Sequence, residues 1–243
     1  MDFSNRVALV TGGAGALGSA ITLDLAAGGA RVAVAYNVDA EWHTLSARAG
    51  AAREQLQGLR VDLTDADAVE EAVRPLGQAD GHIDYLLAIA GGFAAGKIHE
   101  TSAAGWDRMV DLNLKTLFSV LRPVIPIMLR QNFGRIVTVS SGAILGGPGA
   151  GIAAYAVSKA GVRHLTEVLA EEVKGYNIRV HCLLPGTMDT EANRRAMPDA
   201  DPKQWVSTRE VAQLVHRLLV DGEGLPLALP ILRPGDSAAL GKS

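Results

Sequence analysis

A single cysteine in 243 residues excludes an internal disulfide framework and suits a reducing, cytoplasmic compartment. That residue, Cys182, lies in the apolar run 180–184 and reads as a small core side chain. Charge of one sign is also scarce. A net charge of −3 offers no general attraction to nucleic acid or to an anionic membrane, so neither is expected as a partner. No uninterrupted apolar run approaches the roughly 20 residues that span a bilayer. The first residues lead straight into a strand-like run, so no signal peptide is expected. The histidines at 43, 82, 99, 164, 181 and 216 are scattered without metal-site spacing, and no metal is expected. What is present is 25.4 kDa of chain, 48% hydrophobic and 20% charged, enough for one large α/β domain with a full core.

Short apolar runs alternate with helical patterns along the whole chain. Residues 6–11 read as a buried parallel strand that breaks at Gly12-Gly13-Ala14-Gly15-Ala16-Leu17-Gly18, and residues 19–27 read as a helix. Strand, glycine turn and helix form the arrangement that binds a dinucleotide. Glycines let the backbone approach the pyrophosphate, and the helix N-terminus offers free N–H groups. The second strand spans 30–36, followed by a helix over 41–57. Its end, at Tyr36-Asn37, is where an acid selects NAD or a nearby arginine selects NADP. Neither is adjacent, and Asp39 comes late, so NAD or NADP stays open.

A third strand at 59–61 ends at Asp62-Leu63, where Asp62 either contacts a ligand or merely closes the strand. Thr64 reads as the next helix N-cap, with Asp67 at the capping-box position. Residues 83–90 form a fourth strand stopping at Gly91-Gly92. A helix over 104–130 carries Asn113 beside its apolar stripe, where a buried amide needs partners, and Pro123 and Pro126 are expected to bend or interrupt its end. A fifth strand, 134–139, delivers Ser140 and Ser141 to the crevice edge. Strand alternation lets only one of them face it, and Ser141 is preferred. A glycine-rich loop, 142–151, leads to the helix carrying Tyr155-Ala156-Val157-Ser158-Lys159. On a helix, Tyr155 and Lys159 share a face. An ammonium beside the phenol lowers its pKa from about 10 toward the acid–base range. A sixth strand, 177–184, ends at Pro185-Gly186. A long polar connection, 187–206, then precedes a helix at 208–220 and a seventh, edge strand at 225–232.

These motifs, in this order, resemble the short-chain dehydrogenase/reductase family of classical type. The resemblance implies a single-domain α/β Rossmann fold over 1–243, with a doubly wound parallel seven-stranded sheet, helices on both faces and a substrate lid at about 187–206. It implies an NAD(P)-dependent enzyme moving hydride between a nicotinamide and a small carbonyl or alcohol substrate. Tyr155 is then the acid–base, Ser141 positions the substrate oxygen, and Lys159 lowers the tyrosine pKa and binds ribose. Asn113 organises a proton-relay water. Cofactor contacts carried over by position are Gly12, Ala14, Gly15, Ala16, Leu17, Gly18, Tyr36, Asn37, Asp62, Leu63, Ala90, Gly91, Tyr155, Lys159, Pro185, Gly186, Met188 and Thr190. A homodimer or homotetramer is implied, built on the helices at 104–130 and 152–174. The family's Asn-Asn-Ala-Gly stretch is replaced here by Ala88-Ile89-Ala90-Gly91. Ala90-Gly91-Gly92-Phe93 and the segment 189–205 also resemble quinonoid dihydropteridine reductase, which makes a pterin reductase the runner-up. A non-catalytic dinucleotide-binding regulator is the remote alternative.

Overall fold

Apolar runs become strands buried at every position: β1 (Val7–Thr11), β4 (Tyr85–Ala88) and β5 (Gly134–Val139). The structure is a computed structural model, and it describes residues 2–79, 81–146 and 150–233. With β2 (Arg31–Tyr36), β3 (Leu56–Arg60), β6 (Ile178–Pro185) and β9 (Ala228–Ile231), these strands make one parallel sheet in the order β3-β2-β1-β4-β5-β6-β9. That is the order of a doubly wound Rossmann fold, whose ligand crevice lies beyond the strand C-termini where the winding reverses, here between β1 and β4.

Strand alternation builds the two cores. Ala8 and Val10 of β1 face one side, where they meet Leu17, Ile21 and Leu25 of α1 (Ala16–Ala27) and Val211, Val215 and Leu218 of α8 (Thr208–Asp221). Trp42 and Leu45 of α2 (Asp39–Arg48) join that side. Leu9 faces the other side, with Val73 of α3 (Ala66–Ala79), Val124 of α5 (Thr116–Gln131) and Val162 of α6 (Ala153–Val173). Each fully buried aliphatic side chain contributes about 1.5–3 kcal/mol, so the two-sided burial explains why the strands read as continuous apolar runs.

Several expected boundaries change. The helix expected at 41–57 stops at Arg48, because Gly50 turns the chain with φ +53° into a 3-10 stretch (Gly50–Gln55), and β3 starts at Leu56. Asp65, not Thr64, caps α3: its Oδ1 accepts from the N–H groups of Asp67 and Ala68, both at 3.1 Å. Neither Pro123 nor Pro126 interrupts α5, which runs on to Gln131. The helix expected at 104–130 is α4 (Ala103–Val110) joined to α5 by a π-helical turn, Asp111–Lys115. By length and composition 103–131 is apolar enough to cross a membrane, but half of that window is buried inside the protein. The connection 187–206 is also more ordered than its composition suggests. It holds a two-strand pair, β7 (Met188–Asp189) with β8 (Val206–Ser207), and α7 (Glu191–Ala196). The expected edge strand is β9, at the sheet's end beside β6.

Candidate active site

The glycine turn after β1 is shaped by close backbone approach. Gly12 adopts φ +62°, and a Cβ there would stand 2.9 Å from the Ala90 Cα. A Cβ on Gly18 would stand 2.1 Å from the Gly12 carbonyl oxygen, so the turn can fold back on α1 only with glycine at 18. Thr11 Oγ1 accepts from the N–H groups of Ile89 (3.1 Å) and Ala90 (3.3 Å), which ties the end of β1 to the end of β4. Gly15 is the N-cap of α1 and no side chain caps it. The first turn, at Ala16 and Leu17, therefore presents N–H groups to a ligand or to water, with Ala14 and Gly15 forming the approach. This cradle fits a dinucleotide pyrophosphate.

At the end of β2, Tyr36 stacks on Trp42 with centroids 5.2 Å apart and planes 8° from parallel. Gly58 makes room for this pair, because a Cβ there would lie 2.8 Å from the Trp42 ring. Asn37 is exposed. Sequence reading missed a cation here. Arg60 is the register partner of Tyr36 on β3, and its guanidinium lies 3.4 Å from Asp39 Oδ2. Strand register, which single-sequence patterns do not reveal, puts it beside the end of β2, where the cofactor-selecting residue was expected. Asp62 Oδ1 accepts from Thr64 N (2.8 Å) and Thr64 Oγ1 (2.7 Å), and these bonds hold its carboxyl below the usual range. The strand-closing role is thus visible, with Leu63 between the two partners.

The catalytic candidates converge on the C-terminal ends of β4 and β5. Asn113 sits in the π-helical turn, buried, with its amide fully engaged. Its Oδ1 accepts from Gly92 N (3.0 Å), while Nδ2 donates to the carbonyls of Gly92 and Met109 and to Ser158 Oγ, all at 3.1 Å. The bond to Met109, four residues back, meets a carbonyl of the widened helix, a common use of π-turns at functional sites. Ser158, which sequence reading did not single out, links this amide to α6 by donating to the Tyr155 carbonyl at 2.8 Å.

Of the two serines, Ser140 donates to the Lys159 carbonyl at 2.7 Å and locks α6 to β5. Ser141 Oγ accepts from Ala143 N at 3.2 Å, and the Ser141 side chain lies near the Tyr155 phenol. Burial pushes the Tyr155 phenol up, and the nearby Ser141 side chain partly offsets this. Lys159 is buried, and its Nζ donates to the Val139 carbonyl at 2.9 Å rather than to the phenol. Burial pushes its pKa from 10.5 down to about 8, and the neighbouring Cys182 works the other way. A Cβ on Gly91 would lie 2.6 Å from Asn113 Oδ1 and 3.0 Å from Lys159 Nζ, so only glycine leaves both groups room here.

On the far wall, Gly186 N donates to the Ile231 carbonyl at 2.9 Å and follows Pro185 at the end of β6. Met188 pairs with Val206, and Thr190 Oγ1 caps α7 by accepting from Asn193 N at 3.2 Å. The β5 and β6 ends touch, since a Cβ on Gly142 would lie 3.2 Å from the Pro185 carbonyl oxygen.

Sheet order and glycine cradle together define a dinucleotide-binding protein of the Rossmann type. Residues 6–201 match the family model for short chain dehydrogenases. The chain is 33% identical over 231 residues to a 3-oxoacyl-(acyl-carrier-protein) reductase of Thermotoga maritima, covering 91% of this chain and 93% of the relative. It is 33% identical over 235 residues to the 2,3-dihydro-2,3-dihydroxybenzoate dehydrogenase of Bacillus subtilis, covering 96% and 86%. The solved structure of levodione reductase matches with a TM-score of 0.88 at 27% identity, over 97% of this chain and 99% of that one. NAD+-bound xylitol dehydrogenase matches with a TM-score of 0.83 at 29% identity, over 95% and 99%.

The chain belongs to the short chain dehydrogenase family. It is an NAD(P)-dependent oxidoreductase that transfers hydride between a nicotinamide cofactor and a small carbonyl or alcohol substrate. The likeness to quinonoid dihydropteridine reductase finds no support among these proteins.

Proposed function

We propose that Tyr155 is the acid–base residue of this oxidoreductase, and that Ser141, Lys159 and Asn113 serve it. The observation that carries this reading is the convergence of Ser141, Tyr155 and the buried Lys159 at the strand ends beside the glycine cradle. The bound nicotinamide would supply or accept the hydride at the carbinol carbon. Tyr155 gives or takes the proton of the substrate oxygen. Its burial keeps the phenol protonated at neutral pH, which suits proton donation during carbonyl reduction. Ser141 holds the same oxygen and stabilises charge developing on it. Lys159 is protonated below about pH 8 and contributes positive charge that favours phenolate over phenol when the site runs toward oxidation. Asn113 joins the β4 loop, the π-turn and α6 into one rigid frame, and it organises the relay of protons toward solvent.

The glycine turn, Tyr36, Asn37, Asp62, Leu63, Ala90, Gly91, Pro185, Gly186, Met188 and Thr190 line the cofactor's path in this reading. The whole chain, 1–243, acts as one domain, with 187–206 as the lid over the substrate. Within the lid, Arg194 donates to Asp189 through Nε (2.6 Å) and Nη2 (2.8 Å), and Trp205 is the buried anchor. The cysteine usage supports a cytoplasmic enzyme. Exposed Phe118, Val157 and Val168 on α5 and α6 support a homodimer or homotetramer joined through those helices. Relatives named for dihydrodihydroxybenzoate and levodione support a compact substrate.

The test is Tyr155→Phe, which keeps the ring and removes the proton. Turnover should fall by about 10²–10⁴, while NADH or NADPH binding, read by fluorescence, stays near wild type. Retention of most activity would overturn the assignment.

A further inference from the structure

Phe93 is the most conspicuous apolar side chain near the candidate site. It is 64% exposed, yet its ring stands edge-on to the Tyr155 ring, with centroids 4.9 Å apart and planes at 75°. A large exposed aromatic on a floppy loop would carry little meaning, but this loop is anchored on both sides of Phe93. On one side, Gly92 is clamped through both its N–H and its carbonyl by the Asn113 amide. On the other, Gly96 N donates to the Gly151 carbonyl at 2.6 Å, and Ala153 N donates back to the Gly96 carbonyl at 3.1 Å. That second clamp fastens the loop to the first residue of α6, two positions before Tyr155. The ring is therefore held over the phenol with much of its surface turned to solvent.

The two segments that frame the phenol are also without charge. Over residues 88–96, and over the described residues 140–146 and 150–158, there is no Asp, Glu, Lys, Arg or His. Lys159, the next residue, is directed to the Val139 carbonyl. Charges of the lid pair among themselves, Arg194 with Asp189 and Arg195 with Glu191. A substrate group beside the reacting carbon therefore meets an aromatic ring and small or aliphatic side chains, with no counter-ion on these two segments. Burying an ionised group against such a wall is costly, and burying a flat apolar ring is favourable.

We infer that Phe93 seats the substrate, and that the substrate carries an uncharged ring next to its carbonyl or carbinol carbon. This rests on the placement of the reaction at Tyr155. Phe93 offers its open surface to the substrate ring, and its edge-on contact with Tyr155 sets where that ring lies relative to the proton donor. An exposed aromatic that costs solubility is covered only while substrate is bound.

The probes are 1-phenylpropane-1,2-dione and butane-2,3-dione, which share a reacting dione and differ by the ring. Wild type should favour the phenyl dione in kcat/KM. Phe93→Ala should lower the ratio of the two kcat/KM values by about tenfold, chiefly through the KM of the phenyl dione, and Phe93→Tyr should restore it. Calorimetric titration of the phenyl dione into the nucleotide complex supplies a second reading, with binding weakened in Phe93→Ala. An unchanged ratio, or turnover of butanedione by a wild type that neither favours nor binds the phenyl dione, overturns the inference and leaves the Tyr155 assignment standing. Phenyl dione that binds through Phe93 without any turnover overturns the substrate seat, while the Tyr155 assignment is decided separately by Tyr155→Phe.

Discussion

Lys159→Met exchanges a buried cation for an apolar side chain of similar length and should make the nucleotide-free protein more stable while destroying its activity. The wild-type ammonium is buried and donates to one carbonyl, that of Val139, and no ion pair to it is found among the described residues. Burial pushes the pKa from 10.5 to about 8. That difference corresponds to roughly 3 kcal/mol of folding free energy lost at neutral pH, as an order of magnitude. Removing the ammonium leaves the Val139 carbonyl without its donor, which costs about 1 kcal/mol. The net gain is about 2 kcal/mol, or a Tm rise of about 4–8 °C for a chain of this size.

The pH dependence gives a second check. Between about pH 8 and 10.5 the folded protein has shed the Lys159 proton while the unfolded chain still holds it. Wild-type stability from this group therefore rises with pH across that window, and its penalty is full below about 8. The methionine variant has no such slope, so the gap in Tm should narrow from pH 7 to pH 10. Calorimetric melts of both proteins without nucleotide decide the matter. A variant that melts lower at pH 7, or a gap that ignores pH, refutes the reasoning. Stability gained at the expense of function is the usual signature of an active-site residue.

Ser141→Ala should lower carbonyl reduction by about 10²–10³, the common cost of losing one donor to a developing oxyanion; rates within a few-fold of wild type would remove Ser141 from the site. Assembly through α5 and α6 predicts that light scattering at micromolar concentration returns a multiple of 25.4 kDa, and a particle of 25.4 kDa contradicts it.

The large elements were legible because their physics is local. Strands buried on both faces must be apolar throughout, and the glycine turn must be where a chain folds back on a helix. Boundaries were less legible, because they depend on single residues. Gly50 with its positive φ ends a helix whose hydrophobic pattern continues, and the cap falls to Asp65, the residue directly before α3, while Thr64 donates its hydroxyl to Asp62. Arg60 was illegible for a different reason: only strand register brings it to Tyr36.

The spacing of Tyr155 and Lys159 showed a shared helix face, but it could not show which group each side chain would find. The ammonium donates to the Val139 carbonyl and burial raises the phenol, so any influence of Lys159 on Tyr155 acts through its charge and not through a direct hydrogen bond.

The departure at Ala88-Ile89-Ala90-Gly91 shows where side-chain identity matters and where it does not. Thr11 binds this stretch through the backbone N–H groups of Ile89 and Ala90, and any non-proline residue supplies those. The side chains at 89 and 90 take no part in that tie between β1 and β4. Gly91 is different. A Cβ there would press on the Asn113 amide and stand close to the Lys159 ammonium. The glycine is thus the member of the motif that steric geometry requires, and it is the member this chain keeps.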